Sequence, residues 1–117
     1  MAPTVLQCET GPMTQLAAPI ARMVDATNAG DTAAFLAAFS DDAYLEDWGR
    51  GFHGKAGAAS WNETDNIGKR SHFEVLGQRD EGDTQVVSIK VTGGGYNGIG
   101  DIVFTVAGDH ITRMIIS

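Results

Sequence analysis

Apolar side chains first settle into a helical rhythm at Leu16, Ile20, Met23, Val24 and Thr27, which fall on one face of a helix. The rhythm stops at Asn28-Ala29-Gly30, where glycine accepts the left-handed conformation that closes a helix. Pro19 fits as the first helical residue, or else belongs to a separate turn before it. Asp31 offers its carboxylate as a cap for a second, shorter helix over 32–39, in which Phe35, Leu36 and Phe39 share a face. Ser40-Asp41-Asp42 closes that helix, and the pair forms an αα-hairpin.

Residues 43–48 then read as a short strand, 49–54 as a glycine-rich connector, and 55–66 as a third helix that Gly57 weakens. From Ser71 the character changes to Val, Ile, Thr and Phe, which predicts four strands over 71–78, 84–92, 99–106 and 110–116. Asp80-Glu81-Gly82-Asp83 and Ala107-Gly108-Asp109 are tight-turn chemistry, and 93–98 is a longer connection. The elements predict an α+β domain over 13–117, preceded by a flexible tail over 1–12. Its three N-terminal helices pack on one face of a cone-shaped, curved antiparallel sheet, whose mouth suits a small-molecule pocket. Val87, Ile89 and Val91 on one parity and Val86 on the other leave apolar side chains on both sheet faces, so a homodimer through the sheet is expected.

Composition narrows the partners. The 117 residues carry 8 Lys and Arg against 15 Asp and Glu, for a net charge of −7 and no basic run. Nucleic-acid binding rests on neutralising phosphates, so no nucleic-acid partner is expected. The apolar runs fall well short of the roughly 20 residues that cross a bilayer, so neither is a membrane partner. Met1-Ala2-Pro3-Thr4 resembles no signal peptide and the lone Cys8 makes no internal disulfide, so a cytoplasmic address is expected. Dinucleotide, Walker, nucleophile-elbow and His-Glu-x-x-His motifs are missing, and Gly93-Gly94-Gly95 leads into a strand, where no helix N-terminus completes a phosphate cradle. With His53, His72 and His110 far apart, neither metal nor cofactor is expected.

The chemistry concentrates in Ala43-Tyr44-Leu45-Glu46-Asp47-Trp48, where strand alternation sends Glu46 and Asp47 to opposite faces. An inward Asp47 beside Trp48 and Trp61 is a proton acceptor in an apolar setting; the competing reading is two solvated acids at a strand end. Trp61 and Asp65 lie one helical turn apart, placing an indole and a carboxylate over the pocket. Trp48 and Trp61 are its expected walls, with core packing as their alternative, and Arg50 and Lys55 are expected to be solvated at its mouth.

Asn28-Ala29-Gly30-Asp31, the Asp41-Asp42-Ala43 turn, Glu46-Asp47 and Gly54 opening a helix resemble the nuclear transport factor 2-like superfamily, in particular its ketosteroid-isomerase and SnoaL-like branches. The resemblance runs from about Pro12 to Ser117 and implies the nuclear transport factor 2-like, or cystatin-like, fold. It also implies that Asp47 is a general base beside a ketone. Asp101, when the last hairpin is aligned through Met114, becomes a second, protonated acid that donates to the enolate oxygen. At the position of the oxyanion tyrosine stands Met23, which donates no hydrogen bond, so the steroid reaction itself is not implied. Tyr44 and Tyr96 are the available replacement hydroxyls, with Tyr96 preferred. Met23, Trp48, Trp61, Asp65, Tyr96 and Met114 are thus the expected pocket residues, with the core as the alternative place for Met23.

Three readings of function stand on the sequence. One is a small isomerase or cyclase in which Asp47 and Asp101 act on an apolar or aromatic ketone-like molecule; the second is a carrier or sensor of such a molecule. The third is a dimerisation module whose cavity is filled by its own side chains.

Overall fold

The computed structural model describes residues 16–117. The expected tail over 1–12 and Cys8 lie outside the described residues.

Helix α1, Ala18–Ala29, has Pro19 in its first turn and buries Ile20, Met23, Val24 and Thr27. It ends at Gly30, whose φ of 70° lets its N–H reach the last carbonyls of the helix. Asp31 caps α2, Thr32–Ala37, by accepting from the Ala34 N–H at 3.0 Å. This second helix is shorter than the pattern predicts. Phe39 already opens strand β1, Phe39–Asp47, so Ser40-Asp41-Asp42 belongs to a strand rather than to a helix end. The reason is tertiary: Phe39 is fully buried, pairs with Ile111 and lies 5.0 Å from the Phe35 ring.

The glycine-rich connector is also a strand. β2, Arg50–His53, folds back on β1 through the two-residue turn Trp48-Gly49, with Asp47 opposite Arg50. Both turn residues take positive φ, 51° and 85°, the combination whose twist matches two antiparallel strands. Trp48 is therefore a turn residue and not the last residue of the strand. Helix α3, Gly54–Asp65, follows, and a short 3-10 turn, Ile67–Lys69, leads to β3, His72–Glu81. The remaining strands are β4, Thr84–Thr92, β5, Gly98–Ala107, and β6, His110–Ile116.

The six strands lie in the order β2-β1-β6-β5-β4-β3. All neighbours are antiparallel except β1 and β6, which run parallel, so the sheet is mixed where the sequence predicts an antiparallel one. This parallel pairing brings the first strand beside the last and places the end of β1 against the end of β6, Asp47 opposite Ile116. The core lies between the helices and the inner sheet face, where Leu45, Val87, Ile89, Phe104, Ile111 and Met114 meet Ile20, Met23, Phe35 and Trp61. Among the described residues no helix is long and apolar enough to cross a membrane.

Gly57 lets α3 settle onto β2, since a Cβ there would stand 2.7 Å from the Phe52 carbonyl carbon. Gly57→Ala is expected to lower stability by about 1–3 kcal/mol despite alanine's better helix propensity, because the obstacle is backbone. Gly77→Ala, where an added Cβ meets nothing within 4 Å, is the control expected to change little. Urea unfolding of both variants checks the contrast.

Candidate functional site

Strand alternation decides which acid faces the cavity. Leu45, 1% exposed, pairs with Met114 on the inner face, and Asp47, two residues on, shares that face. Glu46 points to the outer face, where its Oε1 accepts from the Tyr44 hydroxyl at 2.8 Å. That bond pushes the Tyr44 pKa up, as do desolvation and the Glu46 charge.

The turn, β2 and α3 then fix Asp47. Arg50, set opposite it by the hairpin, donates from Nη2 to Asp47 Oδ2 at 2.7 Å. The Trp61 indole donates from Nε1 to the same oxygen at 2.9 Å. Oδ1 receives no bond among the described residues and is not a buried unpaired atom, so it is the oxygen left accessible. Arg50 also bridges to Asp65, Nη2 to Oδ1 at 3.1 Å, and the Thr64 hydroxyl donates to Asp65 Oδ2 at 2.7 Å. Burial alone would raise the Asp65 pKa, but hydrogen bonds from Thr64 and Arg50 and the charges of Arg50 and Lys69 outweigh it and hold the carboxyl below its ordinary value. Arg50, bonded foremost to Asp65, is pushed further up from an already high value and stays cationic.

These groups border an open cavity of about 460 Å³, a volume in the range that holds small molecules. Trp61 from α3, Phe73 from β3, Ile89 and Val91 from β4 and Ile102 from β5 give it apolar walls; Lys69, Tyr96 and Asn66 add polar ones. Of the residues the sequence proposes, Asp47, Trp48, Trp61, Asp65 and Tyr96 border this one space. Trp48 does so from the rim, at 69% exposure.

Two proposed residues, Met23 and Met114, are placed elsewhere, and a third, Asp101, reaches the cavity only at its edge. Met23 and Met114 are fully buried in the core and are not among the cavity's lining; Met23 Sδ accepts from the Thr27 hydroxyl at 3.7 Å. Met114 is held in the core because it sits between Leu45 and Phe104 in the sheet. Asp101 reaches the cavity's edge but turns its carboxylate away: it pairs with Ser88, whose hydroxyl donates to it at 2.7 Å. Its neighbours Gly100 and Ile102 pair with Ile89 and Val87, the inward residues of β4, so Asp101 faces outward by alternation. Asp47 and Asp101 therefore do not form a facing pair of acids.

The sequence places Arg50 at the mouth as a solvated charge, whereas the structure bonds it to both Asp47 and Asp65; Asn66, on the cavity's border, is a residue that sequence reasoning missed. Asp47-Trp48-Gly49-Arg50 carries the signal for Arg50, since a two-residue turn ending in glycine sets its flanking residues opposite one another. Among the described residues no three His, Cys, Asp or Glu side chains gather as metal ligands would.

The SnoaL-like domain model matches residues 20–114, and the chain belongs to that family. No curated protein matches it in sequence. A solved structure from Sinorhizobium meliloti, assigned as a polyketide cyclase, shares 26% identity over 87% of this chain and 95% of that one, with a TM-score of 0.76. A protein from Mycobacterium tuberculosis solved with estradiol-17beta-hemisuccinate shares 19% identity over 86% and 92% of the two chains, TM-score 0.75. The Delta 5-3-ketosteroid isomerase of a Mycobacterium species shares 20% over 84% and 88%, TM-score 0.71. With these and a further cystatin-fold neighbour, the architecture is that of the nuclear transport factor 2-like and cystatin-like fold.

Because the folded Asp65 pKa lies below its unfolded value, its contribution to stability is present above the unfolded pKa, near 4, and is lost as pH falls through the lower folded value. The gap in melting temperature between wild type and Asp65→Asn is thus expected to be widest at neutral pH and to close below about pH 4. In Arg50→Met the carbon-13 titration midpoint of the Asp65 carboxyl should move up. An unmoved midpoint would show that Arg50 does not hold it.

Proposed function

We propose that this member of the SnoaL-like family binds a small, flat, largely apolar molecule in its cavity, and that Asp47 accepts and returns a proton on it. The observation that carries the reading is the asymmetry of the Asp47 carboxylate. Oδ2 is engaged by two donors while Oδ1 is left accessible on a residue that borders the cavity. A carboxylate held by one oxygen cannot rotate freely, so the other is positioned before a substrate arrives.

In the proposed reaction a C–H bond next to a ketone breaks, its proton moves to Asp47 Oδ1, and the electron pair shifts to the carbonyl oxygen as an enolate. If the ketone carries a neighbouring double bond, return of the proton from Asp47 to the far carbon of the conjugated enolate completes an isomerisation; if the enolate carbon instead attacks a second carbonyl of the same molecule, return of the proton to the new alkoxide oxygen completes a cyclisation. The enolate oxygen needs a donor. Met23 is buried in the core and Asp101 faces outward, so the role falls to donors on the cavity wall such as the Tyr96 hydroxyl and the Lys69 ammonium. The chain's family and its likeness to a structure assigned as a polyketide cyclase support this class of chemistry. The steroid hemisuccinate held by the mycobacterial neighbour supports a flat apolar ligand.

The outward Asp101 favours a second reading, a carrier of the same ligands with no turnover, since the acid expected to donate to the enolate is turned away from Asp47 and Asp65 is tied to Arg50. The two readings separate on 2-tetralone in deuterium oxide. Wild type is expected to speed deuterium uptake at the carbon next to the carbonyl, and Asp47→Asn to reduce that rate by about 100- to 10,000-fold. Arg50 retains Asp65 as its partner in that variant, so the melting temperature should stay close to wild type. Binding without accelerated exchange in wild type would establish the carrier.

A further inference from the structure

Arg50 is shared unequally between two carboxylates. Its Nη2 donates to Asp47 Oδ2 at 2.7 Å and to Asp65 Oδ1 at 3.1 Å, while Nη1 reaches Asp65 Oδ2 at 3.5 Å. Asp65 therefore faces the fork of the guanidinium, and Asp47 a single nitrogen. Nothing local favours an acid at position 65. It is the last residue of α3, whose final turn carries no basic residue, and a carboxylate there meets the negative end of the helix dipole. Burial opposes the charge as well, yet the Thr64 hydroxyl, Arg50 and the Lys69 charge hold Asp65 ionised. An acid kept charged where helix and burial both oppose it points to a use for the charge.

The use follows from the charges around Asp47. Beside Arg50 alone, Asp47 would belong to a neutral pair, and a proton arriving on it would leave an unshared cation one hydrogen bond away. With Asp65 ionised, the three groups together carry one negative charge, and after the same proton arrives Arg50 still has a carboxylate as its partner. Protonation of Asp47 therefore costs less when Asp65 is present. The other titratable side chains on this cavity are Lys69 from the 3-10 turn and Tyr96 from the loop before β5, and Ser117 follows β6 there. Asp101 of β5 turns outward to Ser88, and Glu46 of β1 lies on the outer face with Tyr44. Asp65 is the one of these that bonds the cation on which Asp47 rests.

We propose that Asp65 is a positioning residue for the proton transfer: it draws the Arg50 guanidinium away from full engagement with Asp47 and so keeps Asp47 a base. This rests on the reading of Asp47 as the proton acceptor and adds the device that sets its strength. The arrangement resolves a conflict within the site. The two donors that immobilise Asp47 Oδ2 also stabilise its anion, which weakens it as a base. A second carboxylate on the same arginine restores basicity without releasing the grip.

The carbon-13 titration of the Asp47 carboxyl, read without any ligand, tests this. In Asp65→Asn, which keeps an oxygen for Arg50 and removes the charge, the Asp47 midpoint is expected to fall by at least about half a pH unit. Asp65→Glu, which restores the charge, should bring it back to within about 0.3 of wild type. The Asp65 side chain is 28% exposed, so both variants are expected to remain folded at neutral pH. In Asp65→Asn the acid limb of the deuterium-exchange rate on 2-tetralone should move down with the midpoint, and its plateau should fall about two- to tenfold. An Asp47 midpoint that stays or rises in Asp65→Asn would overturn the proposal, because Asp65 would then only anchor Arg50. A midpoint in Asp65→Glu that matches Asp65→Asn would overturn it too. Absence of exchange in wild type would instead contradict the proton-transfer reading, which the ligand-free titration keeps apart from the charge sharing.

Discussion

A two-residue turn with left-handed backbone at both Trp48 and Gly49 is the constraint on which the site depends. For a residue with a side chain that conformation costs roughly 1–2 kcal/mol, and Trp48 has no burial to offset it, being 69% exposed. What the turn provides is register. It folds β2 onto β1 so that Arg50 stands across from Asp47, and the hairpin's end is secured by the Trp48 N–H on the Ile116 carbonyl at 2.9 Å. With a longer loop Arg50 would have no fixed position, and the Asp47 carboxylate would lose one of the two donors that immobilise it.

The rest of the fold supplies what the turn cannot. The parallel pairing of β1 with β6 carries Asp47 to the edge of the core, where a carboxylate can face apolar walls while its charge is met by Arg50. Helix α3 brings Trp61 and Asp65 on one face, the first to Asp47 and the second to Arg50, so four side chains from three elements form one connected network. Where α3 ends, the buried Asn66 ties Asn62 to Thr27 beside the same cavity. One end of the cavity is organised by ion pairs, the other by neutral amides.

Much of this was legible in the sequence because it is local. The end of α1 at Gly30, the Asp31 cap, the turns at Gly82 and Gly108, and the opposite facing of Glu46 and Asp47 each follow from a few neighbouring residues, whereas which of the two acids turns inward is decided by the pairing of Leu45 with Met114. What was not legible depends on distant pairing. Phe39 leaves its helical pattern because Ile111, far along the chain, pairs with it, and Arg50–His53 becomes a strand because β1 offers it an edge despite its glycine. Asp101 has the right residue type at the start of a strand, but its facing is set by the register with Ser88. Met23 and Met114 keep the apolar character expected of them and pack in the core rather than on the cavity wall. Asn66 carries no sequence signal, since its place at the cavity's border is set by its packing against Asn62 and Thr27.

The two tryptophans allow the most direct test of the claim that Asp47 is held in place. The Trp61 indole donates to Asp47 and is 3% exposed, whereas the Trp48 indole lies at the surface and serves as an internal reference. Hydrogen exchange of both indole N–H groups, followed by nuclear magnetic resonance in wild type and in Asp47→Ala, separates the bond from burial. The account predicts that Trp61 exchanges at least about tenfold more slowly than Trp48 in wild type and loses most of that protection in Asp47→Ala. Protection of Trp61 that is the same in both proteins would contradict it, because the indole would then owe its slow exchange to burial and Asp47 would lack the partner that orients it.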